Sequence, residues 1–485
     1  MDKQVVQYYR ALTPDILKKF WEAGGVINGQ QYPLADSFLH THTDMGSPKD
    51  SVLTIDEYLK VASDMGTRAI SITDHGTMYG VIPLYKACDD YNVDKPDDEQ
   101  IKCIIGVEFY VCENVESNIK RKQTRLHLIA YAKDDIGYKI LCRLTTEGNK
   151  HIITVGANNY PCISRSDLEH FIGPGTDGHG HVILTSACIG GVIAGIMYES
   201  DNEKINLTKN EHAIQALQTL IDSYNFQQDK LSKLQEQKAT VSQISKKTYK
   251  KRQNELNKHP DPALQAQLDK EIAETQTAIQ NLPKITSMVN ATSKAITEIK
   301  KNIESQCKAP ECIECDNILD KAKLMIQILE KANEDIKPSI IDAEHLEEAF
   351  ETNMRYYQEL AGEGNWFIEM QYHGIPQEQK YMHILASLAH KLNIPLVAAN
   401  DAHMATKEMT TARAIVNALR FDATWEEPAE DAYELYLKTD AELYQWLCKA
   451  ISSDDAMEAM INRKLIVDAC NVKIVKQKHY PKFVA

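Results

Sequence analysis

Short apolar runs mark the first and last parts of the chain, and most are separated by stretches in which apolar residues return every three or four positions. Seven runs read as strands: 37–40, 69–73, 103–111, 126–131, 182–186, 366–371 and 395–399. Continuous apolar runs of this kind imply strands buried on both faces, and hence a parallel sheet covered by helices. Thr54 with Glu57 three residues on is a capping box, opening a helix that buries Leu59, Ala62 and Met65. Residues 1–36 read as one amphipathic helix, with Val5, Tyr8, Leu12, Ile16 and Phe20 near its stripe, followed by a glycine-containing turn.

The pattern changes over residues 201–360, which are polar and carry almost no β signal. Ile214, Leu217, Ile221, Tyr224 and Leu231 follow 3–4 spacing, as do Ile318, Ala322, Met325, Leu329 and Ala332. Two such stretches around a middle section predict an antiparallel coiled-coil arm, interrupted at Pro260, Pro262 and Pro283. The arm divides an α/β body into residues 37–200 and 361–420, and a helical, acidic tail follows over 421–485. The predicted fold is a distorted seven-stranded (β/α) barrel with a long helical coiled-coil insertion. A barrel of this type presents its functional groups at the C-terminal ends of its strands.

Composition narrows the function classes. A length of 485 residues suits two or three domains, or one large barrel with an insertion. No apolar run is long enough to span a membrane, and Met1-Asp2-Lys3-Gln4 does not open a secretory leader. Eleven scattered cysteines without a disulfide-like framework fit a reducing, cytoplasmic setting. A net charge of −15 argues against a broad nucleic-acid-binding face, though not against a small site that handles phosphate through metal ions.

Candidate ligands gather at the ends of the predicted strands. His40-Thr41-His42 ends an apolar run, and in a strand residues i and i+2 face one side, so both imidazoles can reach one ion. Asp401-Ala402-His403 repeats the pattern at the last strand, where an ordinary polar terminus is the alternative. Thr73-Asp74-His75-Gly76 ends another run, which reads equally as a plain strand-to-helix turn. Glu108, flanked by Val107 and Phe109, is costly to bury unless paired or metal-bound, and a bridging role is favoured over a salt bridge. His127 lies near the start of its run, against the strand-end rule, and reads as well as a hydrogen-bonded core histidine. Cys188 reads more readily as a small core residue, and Asp50 is a candidate only by its proximity to the histidine pair.

Two further features read as structural. Cys307, Cys312 and Cys315 resemble part of a zinc knuckle but lack an obvious fourth ligand, so a loop at the arm's tip is favoured. The run Lys246-Lys247-Thr248-Tyr249-Lys250-Lys251-Arg252 reads as a solvated helix face, with DNA contact as the alternative.

Taken in order, several segments resemble the PHP (polymerase and histidinol phosphatase) family. They are Leu39-His40-Thr41-His42-Thr43, Ile72-Thr73-Asp74-His75-Gly76, Ile105-Gly106-Val107-Glu108, Leu126-His127-Leu128, Thr185-Ser186-Ala187-Cys188-Ile189-Gly190-Gly191 and Ala399-Asn400-Asp401-Ala402-His403. The resemblance is nearest to the PHP domain that opens bacterial DNA polymerase III alpha subunits. Phe367-Ile368-Glu369-Met370-Gln371-Tyr372-His373-Gly374 and the tail segment His479-Tyr480-Pro481-Lys482-Phe483 share it.

The resemblance implies nine metal ligands: His40, His42, Asp50, His75, Glu108, His127, Cys188, Asp401 and His403. It implies two or three divalent ions, of zinc, manganese or iron, with His40, His42, Glu108 and Asp401 as the catalytic set holding one. Glu108 would bridge to a second ion on His127 and Cys188, and Asp50, His75 and His403 would complete a third. The implied activity is 3′–5′ exonucleolytic proofreading at a DNA 3′ end, with the rest of a polymerase or other replisome proteins as partners. The alternatives are hydrolysis of small phosphate esters or pyrophosphate, and a metal-stabilised scaffold in a split polymerase. Two departures stand out: the helical arm is foreign to such domains, and no paired-Asp palm motif follows.

Overall fold

The computed structural model describes residues 3–27, 29–112, 125–155, 158–243, 250–251, 253–254, 257–258, 262–337, 340–421 and 434–475. Each of the seven apolar runs contains a strand: β3 (Ser37–Phe38), β4 (Ala69–Ile72), β5 (Lys102–Cys112), β6 (Leu126–Ala132), β9 (Val182–Thr185), β10 (Trp366–Met370) and β11 (Leu396–Ala398). They lie in the order β11-β10-β9-β6-β5-β4-β3. Two strands outside the expected set, β7 (Ile152–Val155) and β8 (Asn158–Ser164), form a hairpin whose second arm pairs with the end of β5. A small hairpin, β1 (Val26–Ile27) with β2 (Gln30–Gln31), stands apart.

The sheet is not wholly parallel, as the apolar runs led one to expect. β6 runs antiparallel to both neighbours, β5 and β9. An apolar run marks burial on both faces and carries no strand direction, so the reversal at β6 leaves the same pattern as a parallel strand.

Alternation along the strands gives the sheet two apolar faces. One set, Ala69, Ile104, Ile129, Tyr131, Ile183, Phe367 and Val397, packs together and against Ile466, Val467 and Cys470 near the end of the helix Ser453–Ala469. The opposite set, including Ile70, Ile105, Ala130, Leu184, Ile368 and Leu396, packs on the flanking helices. Only strongly curled strands can fill one face largely with their own side chains. The curl brings the two edges together at one rim, where the His42 amide donates to the Ala402 carbonyl (2.8 Å) and the Ala402 amide to the His40 carbonyl (3.1 Å).

The capping box forms as the sequence indicates, with the Glu57 amide donating to the Thr54 hydroxyl at the head of Ile55–Asp64. Ala62 is buried, while Leu59 and Met65 are half-buried against the core. The N-terminal segment is two helices, Lys3–Arg10 and Pro14–Glu22, rather than one. Pro14 has no amide to continue the first helix but suits the first turn of the second. The buried side chains here are Tyr9, Phe20 and Trp21, whereas Tyr8 and Ile16 are exposed.

By its contacts the chain divides into two units, Met1–Glu199 with Ile341–Ala485, and Ser200–Ile340. In the second, long helices dominate: most of Ala194–Gln243, then Pro262–Gln306 and Ile318–Ile336. Leu217 and Ile221 pack there with Ile303, Cys307, Cys312 and Ala322. Pro283, expected to interrupt, lies within Pro262–Gln306, while Pro262 opens that helix; Pro260 lies outside the described residues. Most of the basic run (Lys246–Tyr249 and Arg252), along with the tail segment 479–483, also lies outside them. Among the described residues, no helix is long and apolar enough to cross a membrane.

Candidate metal centre

Side-chain alternation sets up the site. Glu108 is on the face of β5 that carries Ile104, and His127 is on the face of β6 that carries Ile129 and Tyr131. Both therefore stand above the inward apolar layer. Because β6 is antiparallel, its first residues lie at the same rim as the ends of the parallel strands. The register places His127 opposite Tyr110. This direction reversal is why a histidine at the start of its run still joins the rim.

His40 and Asp401 do not sit in strands. β3 ends at Phe38 and β11 at Ala398, and both residues take left-handed backbone (φ 48° and 47°). Non-glycine residues pay conformational energy there, and such positions concentrate at functional sites. The His40–His42 pair thus converges through a turn of the backbone rather than through strand alternation. The Nε2 atoms of both rings lie 3.1 Å from Asp401 Oδ1.

All nine sequence-selected side chains fall into one connected cluster. Glu108 is at its centre, 3.3 Å from His40, 3.5 Å from His42, 2.5 Å from His75 and 2.9 Å from His127. Asp50 Oδ2 reaches His75 Nε2 (3.2 Å) and His403 Nε2 (3.4 Å). Cys188 Sγ lies 3.5 Å from His127 Nδ1. The His42 ring stacks between those of His75 and His403, with centroids 4.1 and 4.4 Å away. His40, His42 and Glu108 are buried, whereas His75, His127, Cys188 and Asp401 keep partial exposure.

Electrostatics in this crowd are severe. Burial, helped by the His75 and His403 charges, pushes His42 down to about 3. Burial would also lower His75, but Glu108 and Asp50 outweigh it and bring that group up to about 10. Glu108, despite its burial, is held well below the usual carboxylate range by His127 and His75. Burial raises the Cys188 thiol well above its ordinary value, with Asp401 and Glu108 adding to the effect.

Divalent cations fit this donor set. His40 Nε2, His42 Nε2, His75 Nδ1, both Glu108 oxygens, Asp401 Oδ1 and His403 Nε2 are buried without a hydrogen-bond partner. Crowding so many buried polar atoms together without hydrogen bonds of good geometry would be costly without a cation to share them. Three groups bring ligand atoms within 4.8 Å of one another: His42–His75–His403, His40–His42–Asp401 and His75–Glu108–His127. His42 and His75 each belong to two of them, unlike the division that the resemblance implies.

Outer partners orient several rings, as metal-ligating histidines require. His40 Nδ1 meets Glu369 Oε2 at 2.8 Å, His403 Nδ1 meets the Asp401 carbonyl at 2.7 Å, and Ser47 Oγ lies 3.3 Å from His42 Nδ1. In each case the other nitrogen, Nε2, is left for the cluster. Glu369 in turn accepts from the Thr185 hydroxyl and from Gln371 (2.7 Å). Asp74 accepts from the Thr43 amide (2.6 Å) and from Ser47 Oγ (3.0 Å). Arg413 donates to both the Asp50 carboxylate (3.0 Å) and its backbone carbonyl (3.1 Å). Sequence reasoning gave no role to Glu369, Asp74 or Arg413. Glu369 carries the signal that selected Glu108, a carboxylate inside an apolar run; Arg413 carries none.

The three cysteines of the helical unit do not assemble a ligand set. Cys307 and Cys312 are buried in its apolar cluster, Cys312 beside the Lys321 carbonyl (3.8 Å) and Met325 (4.0 Å), and Cys315 approaches the Asn317 carbonyl (3.8 Å).

Comparison with known proteins adds an independent line. A family model described as PHP domain matches residues 39–229. The chain is similar to the DNA polymerase III subunit alpha of Borreliella burgdorferi, at 34% identity over 160 residues, covering 32% of this chain and 12% of that protein. The subunit from Aquifex aeolicus is 36% identical over 174 residues, covering 34% and 13%. That from Campylobacter jejuni is 30% identical over 155 residues, covering 32% and 11%. The similarity therefore spans about an eighth of these relatives' length.

Proposed function

Because this chain carries a PHP domain, a metal-dependent phosphoesterase-type module, we propose that its rim cluster is a catalytic centre that removes nucleotides from the 3′ end of DNA. The observation that carries the proposal is the convergence of seven buried donor atoms, from six residues and without a hydrogen-bond partner, on one shared space. The DNA context rests on the likeness to replicative polymerase subunits. Function within a cytoplasmic replication assembly, beside the remaining polymerase parts, belongs to the same proposal.

His40, His42 and Asp401 would hold one ion, and Glu108, His75 and His127, with Cys188 beside them, a second. Asp50 and His403, near His42 and His75, complete the ligand set for a third. When bound, divalent ions supply Lewis-acid activation of water and neutralise phosphate charge. The chain's own residues do the rest. Glu369, through Thr185 and Gln371, fixes the His40 ring so that Nε2 faces inward, and Ser47 does the same for His42. Arg413 holds Asp50 from behind, leaving Oδ2 toward His75 and His403. Zinc, manganese and iron all suit this mix of imidazole, carboxylate and thiol.

We read the Ser200–Ile340 unit as a coiled-coil arm that engages a partner protein of the replication assembly. Support comes from the 3–4 spaced Leu217 and Ile221, which pack on neighbouring helices.

The test is release of mononucleotides from a 3′-labelled strand by the metal-loaded protein and by His42→Ala. Release that the substitution abolishes, with the fold intact by circular dichroism, is the expected result. A stable metal complement with no release favours a scaffold role, and unchanged release in the variant rules out chemistry at this cluster.

A further inference from the structure

The His75 and His127 side of the cluster is walled by the β7–β8 hairpin, and that wall carries features the metal ligands do not explain. Gly76, beside His75, has φ +60°, and a Cβ there would come within 2.5 Å of Pro161 Cγ, so β8 packs directly on the ligand loop. Tyr160, the residue before Pro161, meets Tyr110 edge-on with centroids 5.1 Å apart. Tyr110 in turn stacks on His75 (5.6 Å) and packs edge-on against His127 (5.2 Å). An aromatic path therefore runs from the two most exposed imidazoles to the partly exposed Tyr160.

Two cations flank this wall. The Arg125 guanidinium lies over the Tyr160 ring, 4.8 Å from its centroid. Lys49, adjacent to Asp50, donates to Asn158 Oδ1 at the start of β8 (3.3 Å). Both are thus anchored beside the partly exposed His75 and His127 of a cluster whose interior is dense in carboxylates. In a chain of net charge −15, two cations and a ring beside such a cluster suit the backbone and base of a nucleic-acid strand.

We propose that Arg125, Lys49 and Tyr160 form a single-stranded DNA subsite at the mouth of the cluster, holding the phosphates and base of the nucleotides leading to the 3′ end. This rests on the phosphoesterase reading of the cluster and names the residues that hold the strand leading into it. Arg125 and Lys49 contact phosphates that are not being cleaved, and Tyr160 stacks on a base.

The test is binding. A fluorescein-labelled single-stranded oligodeoxynucleotide with phosphorothioate linkages at its 3′ end is titrated by anisotropy into the metal-containing protein at several salt concentrations. Arg125→Ala and Lys49→Ala each should weaken binding several-fold and reduce the salt slope by about 0.7, the single-strand value per phosphate contact. Tyr160→Ala should weaken it about tenfold at fixed salt slope, and Tyr160→Phe should restore it. Failure of the wild type to bind, or variants indistinguishable from it, overturns the subsite. The phosphoesterase reading is judged separately, by hydrolysis of bis(p-nitrophenyl) phosphate in wild type and His42→Ala. Hydrolysis that His42→Ala removes, together with oligonucleotide binding blind to all three variants, sinks the subsite alone. The converse result, binding that responds to the variants without hydrolysis, sinks the phosphoesterase reading alone.

Discussion

Glu369 Oε2 lies 2.8 Å from Nδ1 of His40, and both side chains are buried beneath the rim. A carboxylate that receives the Nδ1 proton fixes the tautomer and sharpens Nε2 as a donor. Glu369→Gln keeps the shape but loses the charge. Loss of such an outer partner is expected to lower metal affinity about 10- to 100-fold. Metal retained after dialysis against a graded chelator measures this, and wild-type retention would remove Glu369 from the account.

Arg413 and Asp50 form a second buried relationship of this kind, with side chains only 7% and 10% exposed. Removing one member of a buried pair strands the other, at a cost of about 3 kcal/mol. Arg413→Met should therefore lower stability by about that amount in urea unfolding. If Asp50, His75 and His403 hold a divalent ion as proposed, it should also lower metal retention after dialysis against a chelator. A Lys at 413 would keep the charge but lose the two-pronged hold on carboxylate and carbonyl, and should fall between the two.

Much of this arrangement was legible in the sequence, and the gaps have physical causes. Apolar runs located all seven main strands, because burial on both faces leaves an unmistakable composition. Periodicity carries no direction, so the reversal of β6 was invisible and His127 looked misplaced. The left-handed backbone at His40 and Asp401 has no local signature either. The β7–β8 hairpin was passed over because β8, from Asn158 to Ser164, mixes polar residues with a proline. The break between the first two helices was available in Pro14, and the tolerance of Pro283 inside a helix was not.

Beside the cluster, where its ammonium donates to Asn400 (3.2 Å) next to Asp401, Lys438 gives a pH-dependent test. Burial lowers it to about 8 from 10.5, against the pull of Glu434. Between those values the unfolded chain keeps a proton that the folded protein has released. Stability from this group therefore rises with pH across the window, by on the order of 3 kcal/mol in total. Below about pH 8 the lysine is charged in both states and its burial cost is fully present. Lys438→Met lacks the rise, so the stability of the wild type relative to the variant should climb between pH 8 and 10.5. A flat difference across that range in denaturant titrations contradicts the assignment.

Cys312 provides the counterpart in the helical unit. It is fully buried in an apolar cluster rather than in a ligand set. Cys312→Ser should cost about 1–3 kcal/mol by burying a poorly satisfied hydroxyl. Bound metal per chain should not change. Loss of one zinc equivalent would instead restore the zinc-knuckle interpretation.

The central claim is that the rim cluster exists to hold cations, and elemental analysis of the intact protein tests it most directly. With Glu108 touching four of the five histidines, wild type should carry two or three divalent ions per chain after gel filtration, and Glu108→Gln should lose at least one. A wild type free of bound metal, or a Glu108→Gln variant with an undiminished complement, contradicts the account.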